Sequence, residues 1–247
     1  MAFLLHKGKH MNIFVDLHIH SCLSPCGDSD MTPWNICAMA KIKGLQAIAV
    51  TDHNSAKNLP AVNEAAKAHG LVLLPGMEIT TREEVHLLAY FPTMEQAMLM
   101  GDFLYMHLPD IQNDPHLFGI QQLMNERDEL AGVENRLLIS ASDLTLQNAV
   151  HEIRRFGGLA VPAHINRGVN GLLMNLGFLP DDVHFPTLEV VPHLPVSKNI
   201  LQGKTILHAS DAHRLEDISE AVQVLEVVEL STIGVLKALG DTCVMPV

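Results

Sequence analysis

The chain is short of positive charge: 16 Lys and Arg face 28 Asp and Glu, a formal net charge of −12. That is the wrong sign for a protein held mainly by nucleic-acid phosphates, so the balance speaks against a long nucleic acid as partner. A nucleotide in a metal pocket stays open. Long hydrophobic runs are absent too. No stretch of about 18 consecutive apolar residues appears, so no segment qualifies as a membrane-spanning helix and no membrane partner is expected. The N-terminal MAFLLHKGKHMN has too short an apolar stretch, and no small-residue cleavage site, for a secretory signal, which reads as a cytoplasmic location. Cysteine is scarce: Cys22, Cys26, Cys37 and Cys243, with no C-x-x-C pair, are expected to be reduced thiols, not a disulfide framework or a zinc ribbon. Neither an internal repeat nor a low-complexity tract is present, and nothing in the sequence sets the oligomeric state.

What is abundant is histidine, 15 residues in 247. Histidine is the usual neutral metal ligand, so this excess raises the prior for metal chemistry. The rest of the composition, 48% hydrophobic and 18% charged, is that of a globular enzyme-sized domain. Apolar runs rich in β-branched residues recur at 12–17, 45–51, 71–75, 85–91, 159–162, 187–191 and 205–209. Because they do not alternate, they predict strands covered on both faces, as in a parallel sheet.

Helical segments fall between several of these strands. Thr32-Pro33 opens one that Gly44 closes, a second runs from Ser55 to His69 before Gly70, and Ser142 or Asp143 caps another that ends at Gly157-Gly158. The resulting β-α-β-α order predicts an α/β barrel in one domain spanning 1–247. A helical elaboration interrupts it at about 93–141, with helices expected over Met94 to Leu108 and around Ile120 to Leu130. The methionines there read as core filler.

The histidines fall at strand ends. Strand one closes on Asp16-Leu17-His18-Ile19-His20, and residues two apart on a strand point the same way, so His18 and His20 can reach one cation. Later strands end in Asp52-His53, in Glu78, in His164 and in Asp211-Ala212-His213, while His86 lies within its strand. The carboxyl ends of strands are where barrel active sites assemble. Nitrogen and carboxylate ligands without an organised thiolate set suit Zn, Mn, Fe or Co, and these eight candidates are twice what one four-coordinate zinc needs, so two or three divalent metal ions are expected.

The ordered motifs DLHIHS, AVTDHN, GMEITT, EEVHLLAYF, VPAHINR and HASDAH, spread over residues 16–213, resemble the PHP family, the polymerase and histidinol phosphatase domain of metal-dependent phosphoesterases. The resemblance implies a distorted seven-stranded (β/α)7 barrel with a multinuclear, trinuclear in the family, metal site at the carboxyl ends of the strands. It gives His18, His20, Glu78 and Asp211 to a first metal, with Glu78 bridging to a second held by His86 and His164. A third would take His53, His213 and a residue of the loop after strand one. That loop departs from the commoner spelling, and its Asp28 is the expected ligand, with Cys26 and then Asp30 behind it.

Glu78, Asp211 and His213 are the expected catalytic residues. Arg167 and Arg214 are placed to meet an anionic substrate with a guanidinium fork. Asp16 and Asp52, beside ligand histidines, could each accept a ring N–H and fix its tautomer. Of the remaining histidines (His6, His10, His69, His107, His116, His151, His184, His193 and His208), most are expected to be structural or surface groups. His193, where strand six should end, is the expected exception, and His116, in the irregular part of the elaboration, could line the pocket if that segment folds over it.

The implied function is hydrolysis of a small phosphorylated metabolite or nucleotide. Cations bring the pKa of water from 15.7 toward about 7, so that hydroxide can attack phosphorus in line. The rival readings are an amidohydrolase-type metal hydrolase, a non-catalytic metal-binding module, and a phosphodiesterase or nuclease in place of a phosphomonoesterase.

Overall fold

The structure is a computed structural model, and it describes residues 10–240. His6 and Cys243 lie outside the described residues. Strand β1 (Met11–Ile19) leads to α1 (Pro33–Ile42), where Thr32 accepts from the Asn35 N–H and a proline opens the first turn. Next come β2 (Ala47–Val50), α2 (Leu59–His69), β3 (Val72–Leu73), β4 (Gly76–Thr80), β5 (His86–Tyr90) and α3 (Met94–Met106). The middle of the chain adds α4 (Pro115–Phe118), β6 (Gln122–Met124), β7 (Leu130–Val133), α5 (Leu146–Arg155), β8 (Leu159–Pro162) and α6 (Leu172–Leu176). The last part holds β9 (Thr187–Glu189), α7 (Lys198–Leu201), β10 (Thr205–Leu207), a 3-10 turn (Leu215–Asp217), β11 (Val224–Val227) and α8 (Thr232–Leu239).

Ladders β1–β2, β2–β3 and β9–β10 are parallel, as the apolar runs predict. The middle of the fold corrects that expectation: β5 runs antiparallel to both β4 and β8. Only residues 81–85 separate β4 from β5, far fewer than a parallel crossover needs, so the chain can only turn back on itself. β11, antiparallel to β1, is a strand the sequence reading does not name. Links at the strand ends tie the sheets to one another. His53 bridges Glu78, Ile19 bridges Ala212, Ile165 N–H donates to Glu189 C=O at 3.0 Å and Val190 N–H to Leu207 C=O at 2.9 Å.

The two-residue period of the strands sorts their side chains into two cores. Ala47, Ala49, Leu88 and Tyr90 join Ile13, Val15 and Leu17 of β1 in one, while Ile48, Val50, Leu87 and Ala89 face the helices in the other. Tyr90 crosses its core to donate to the Leu17 C=O at 2.7 Å, which satisfies a buried hydroxyl.

The elaboration at 93–141 is corrected in its second half. α3 forms, but the segment expected as a helix around Ile120 to Leu130 is the β6–β7 hairpin. Its turn explains why: the Asn125 side-chain oxygen accepts from the Arg127 and Glu129 N–H groups and Asp128 sits at φ +62°, a geometry that ends any helix. Tertiary bonds hold it in place, with Gln122 N–H donating to Cys22 C=O at 2.8 Å and the Asn58 amide to Gln122 C=O at 3.1 Å. Helix boundaries shift as well. α2 begins at Leu59, not Ser55, and α5 is capped by Thr145, while Ser142 instead donates to the Thr80 C=O. Among the described residues no helix is long and apolar enough to cross a membrane.

Candidate metal centre

β1 delivers His18 and, one residue past its end, His20, both fully buried, with their Nε2 atoms 3.2 Å apart. The end of β2 delivers His53, β4 Glu78, and the segments after β8 and β10 deliver His164, Asp211 and His213. His86 is the first residue of β5, paired with Thr80 at the far end of β4. Since β5 runs backwards, its amino end lies level with the carboxyl ends of the other strands, which is how a residue at a strand start joins a strand-end cluster. His164 (φ +29°) and Asp211 (φ +53°) take backbone conformations unusual for non-glycine residues, each costing about 1–3 kcal/mol. Strain of that size persists only where the surroundings hold it. Glu189 accepts the His164 N–H at 2.9 Å, and Ala212 N–H donates to the Ser210 hydroxyl at 3.1 Å.

Glu78 is the hub. Its Oε1 lies 2.8 Å from His86 Nδ1 and 3.3 Å from both His18 Nε2 and His164 Nε2. Oε2 lies 3.0 Å from His53 Nδ1 and 3.4 Å from His20 Nε2. Asp211 turns Oδ1 toward His18 and His20 at 3.2 and 3.1 Å. Three sets of ligand atoms fall within 4.8 Å of one another: His18, His20 and Asp211; His53, Glu78 and His86; and His20, His53 and His213.

The donor chemistry fits cations. A neutral imidazole has one N–H and one lone pair, and the outer partners fix which nitrogen carries the proton. His18 Nδ1 donates to Glu189 at 3.1 Å and His20 Nδ1 to the Ser24 hydroxyl at 2.9 Å, so in the neutral, metal-binding form of the rings both Nε2 lone pairs face inward. His53 Nδ1, both His86 nitrogens, His164 Nδ1 and Glu78 Oε2 are buried without a hydrogen-bond partner. Buried polar atoms left so are costly, and lone pairs pointed at one another are relieved by a metal.

The electrostatics agree. Burial opposes charge on Glu78, but the imidazoles of His86, His18 and His53 outweigh it and hold its carboxyl well below the usual range. Asp211 is held low in the same way, against burial, by His18 and His20. Burial likewise disfavours charge on His18, yet Glu189, Asp211 and Glu78 raise it, and hydrogen bonds to Asp211 and Glu78 bring His20 to about 9. Burial and the charge on His20 push His53 down to about 3 and His213 to about 4.

Eight of the nine expected metal ligands therefore converge, and Asp28 does not. Its carboxylate is exposed and accepts from the Asp30 N–H at 3.1 Å, and its own N–H donates to the His213 C=O at 2.9 Å. Cys26 and Asp30 are exposed as well. Loop 21–30 is wound too tightly to reach further: a Cβ on Gly27 would stand 2.5 Å from the Ser21 oxygen. Arg167 pairs with Asp211 Oδ2, the oxygen turned away from the histidines, while Arg214 is exposed at the start of the 3-10 turn. His116 is exposed on α4, whereas His193 lines a cleft of about 460 Å³ beside His164, Asp211 and His213.

Neither Asp16 nor Asp52 accepts a ring N–H. Asp52 acts through Ser24, whose hydroxyl donates to it at 2.7 Å while accepting from His20. Asp16 accepts the Ser210 and Ser219 N–H groups at 3.1 and 2.9 Å and so anchors the segment carrying Asp211. The carboxylate that does orient a ligand histidine is Glu189, which the sequence reading missed. The available signal was a lone Glu inside the apolar run TLEVV, where a charge is expected only with a partner.

The sequence model of the PHP domain matches residues 16–150. The chain belongs to the PHP domain family. Among curated relatives, a PolC-type DNA polymerase III of Staphylococcus aureus is 32% identical over 131 residues, which is 52% of this chain and 8% of that protein. An uncharacterized protein of Methanocaldococcus jannaschii is 37% identical over 76 residues, 28% of this chain and 44% of that one. This PHP chain thus spans less than half the length of either relative.

Among solved structures, the lesion-specific endonuclease EndoQ of Pyrococcus furiosus superposes with a TM-score of 0.71 at 20% identity, covering 93% of this chain and 56% of that one. A metal-dependent phosphoesterase, so described, of Bifidobacterium adolescentis superposes at 0.57 with 18% identity, covering 93% and 97%. These likenesses show the PHP fold.

They also correct one expectation. The acidic balance was read against a long nucleic acid, yet an Endonuclease Q structure of the same fold holds a 27-mer duplex with an abasic lesion at its active site. Net charge sums the whole surface, and a metal-lined site can bind a phosphodiester whatever that sum is.

Proposed function

We propose that this PHP domain is a metal-dependent phosphoesterase. The observation that carries the reading is the hub geometry of Glu78, whose two oxygens face two different sets of histidines. In this reading His18, His20 and Asp211 would hold one cation, Glu78, His86 and His164 a second, and His53 and His213 a third. Two or three ions of Zn, Mn or Fe suit these donors. When bound they would lower the pKa of water and neutralise the phosphoryl oxygens.

The chain's own residues do the rest. Glu189 and Ser24 keep the Nε2 lone pairs of His18 and His20 inward, and Arg167 holds Asp211 so that Oδ1 faces the cluster. The half-buried Arg167 guanidinium lines the cleft, where it can also meet a phosphoryl oxygen. For the architecture, we read β3 and β4 as one interrupted strand. With β1, β2, β5, β8, β9 and β10 it makes the distorted (β/α)7 barrel, supported by the links at the strand ends.

The test is hydrolysis by protein loaded with Mn or Zn, beside a chelated control. Sugar phosphates, amino-alcohol phosphates, nucleotides, and single- and double-stranded oligonucleotides with and without an abasic site are the substrates. Metal-dependent cleavage of any phosphoester is expected. Full loading with no cleavage across the panel would overturn the reading.

A further inference from the structure

His193 stands apart from the metal centre, yet the structure presents it to the same cleft. It follows β9 in the turn Val191–Leu194, is exposed, and takes part in no hydrogen bond or ion pair among the described residues. Its backbone, by contrast, is held on both sides by one side chain. The Asn166 amide donates to Val191 C=O at 3.0 Å and to Leu194 C=O at 2.9 Å, and its oxygen accepts the Val191 N–H at 2.9 Å. Asn166 lies two residues after the ligand His164 and one before Arg167, so one short segment carries a metal-facing histidine, the clamp on the His193 turn and the guanidinium on Asp211. Pro192 and Pro195 stiffen the turn further by fixing φ. A free imidazole on a backbone held this firmly is preorganised to meet something that enters the cleft.

The cleft is lined by two unlike kinds of residue. His164, Asp211 and Arg167 supply polar and charged lining, and Val190, Val191 and Leu194 supply apolar lining. At about 460 Å³ it is the size of a small organic group. A phosphoester lying across it would put its phosphoryl oxygens at the metal-facing side and its organic part on the apolar wall. The bridging oxygen then falls between them, within the cleft that His193 also lines.

We propose that His193 is the general acid for the leaving group, an inference that rests on the phosphoesterase reading. Water oxygen bonds to phosphorus, releasing one proton to solvent, as the phosphorus–oxygen bond to the organic group breaks. The departing oxygen takes the proton from the protonated His193 ring, leaving as the alcohol, and the neutral imidazole is reprotonated from solvent. Asn166 is a positioning residue for this step.

The experiment compares two esters of similar size, 4-nitrophenyl phosphate and benzyl phosphate, or the corresponding diesters if only diesters are cleaved. Nitrophenolate departs without a proton, whereas an alkoxide does not. His193→Gln is expected to lose about 100- to 10,000-fold in kcat on the benzyl ester, the usual size of acid catalysis, and less than about 10-fold on the nitrophenyl ester. Its bound metal, counted by elemental analysis, should equal that of the unaltered protein. Asn166→Ala should show the same selective loss, smaller in size. Equal losses on both esters, no loss on either, or reduced metal would overturn the assignment to His193 while leaving the phosphoesterase reading standing. Failure of the unaltered, metal-loaded protein on both classes of ester would overturn the phosphoesterase reading, and the acid with it.

Discussion

β1 passes through two unlike regions within nine residues. Ile13, Val15 and Leu17 sit in an apolar core with Tyr90 and Val161, while His18 and, just past the strand, His20 enter a cluster of imidazoles and carboxylates in which both are fully buried. The apolar half repays burial by removing hydrocarbon from water. Desolvation makes the polar half costly, and its partners offset this only in part, since several ring nitrogens go unpartnered and two backbone positions are strained. Stability therefore resides beneath the cluster and metal chemistry within it. The two should respond oppositely to substitution.

The largest effect should separate them cleanly. Glu78→Gln removes a charge facing five imidazoles and is expected to lose metal and activity together, activity by at least about 100-fold, with the circular dichroism spectrum retained. Leu17→Ala is expected to cost about 2–5 kcal/mol in denaturant unfolding with metal stoichiometry unchanged. Full activity in Glu78→Gln, or metal loss in Leu17→Ala, would erase the contrast between the regions.

Next in size is Glu189, which joins the two regions at the end of β9. Glu189→Gln keeps the shape but weakens the acceptor for His18 Nδ1–H, and should lower metal affinity about 10- to 100-fold, read by competition with a chromogenic chelator. An unchanged affinity would make Glu189 merely a backbone anchor for His164.

What the sequence disclosed and what it hid follow from range. His18 and His20 two apart on a strand, and the Asp211-Ala212-His213 spelling, are local patterns, so the sequence alone names the eight candidate ligands that the fold brings together. Glu189 meets His18 across 171 positions and Asn166 meets Val191 across 25, and no local period encodes such pairings. The hairpin read as a helix failed for the same reason. The apolar spacing of Ile120–Leu130 suits a helix, but bonds to Cys22 and Asn58 and the Asp128 turn override it. The parallel-sheet expectation failed at β5, where burial on both faces hides strand direction: a covered antiparallel strand and a covered parallel one have the same apolar run.

A subtler contrast lies in pH. In the metal-free chain His18 and His20 are raised, so their contribution to stability is whole below their unfolded value of about 6.5 and is lost as pH climbs through the folded value, about 9 for His20. His53 and His213 are lowered, to about 3 and 4, so stability falls as pH drops below about 6.5 toward those values. Glu78 and Asp211, also lowered, add a loss below about pH 4. Chelated protein should therefore melt highest near pH 6.5 and lower at pH 9. Loaded protein should gain on it steadily over that span, because metal needs deprotonated ligands. Equal melting temperatures of the chelated protein at pH 6.5 and 9 would show that the histidine pair is not charged.

The smallest effect is expected at Asp28, where the sequence and the structure part company. The family resemblance assigns the third metal a ligand from loop 21–30, yet the Asp28 carboxylate is exposed and already accepts from the Asp30 N–H. His20, by contrast, brings a ring nitrogen within 4.8 Å of those of His53 and His213. Asp28→Ala removes only a turn bond, so metal stoichiometry should match that of the unaltered protein and stability should change by about 0.5 kcal/mol or less. Loss of one metal equivalent would instead mean that the loop rewinds around the cation to bring Asp28 in. The tight approach of Gly27 to Ser21 would then be a property of the metal-free loop alone.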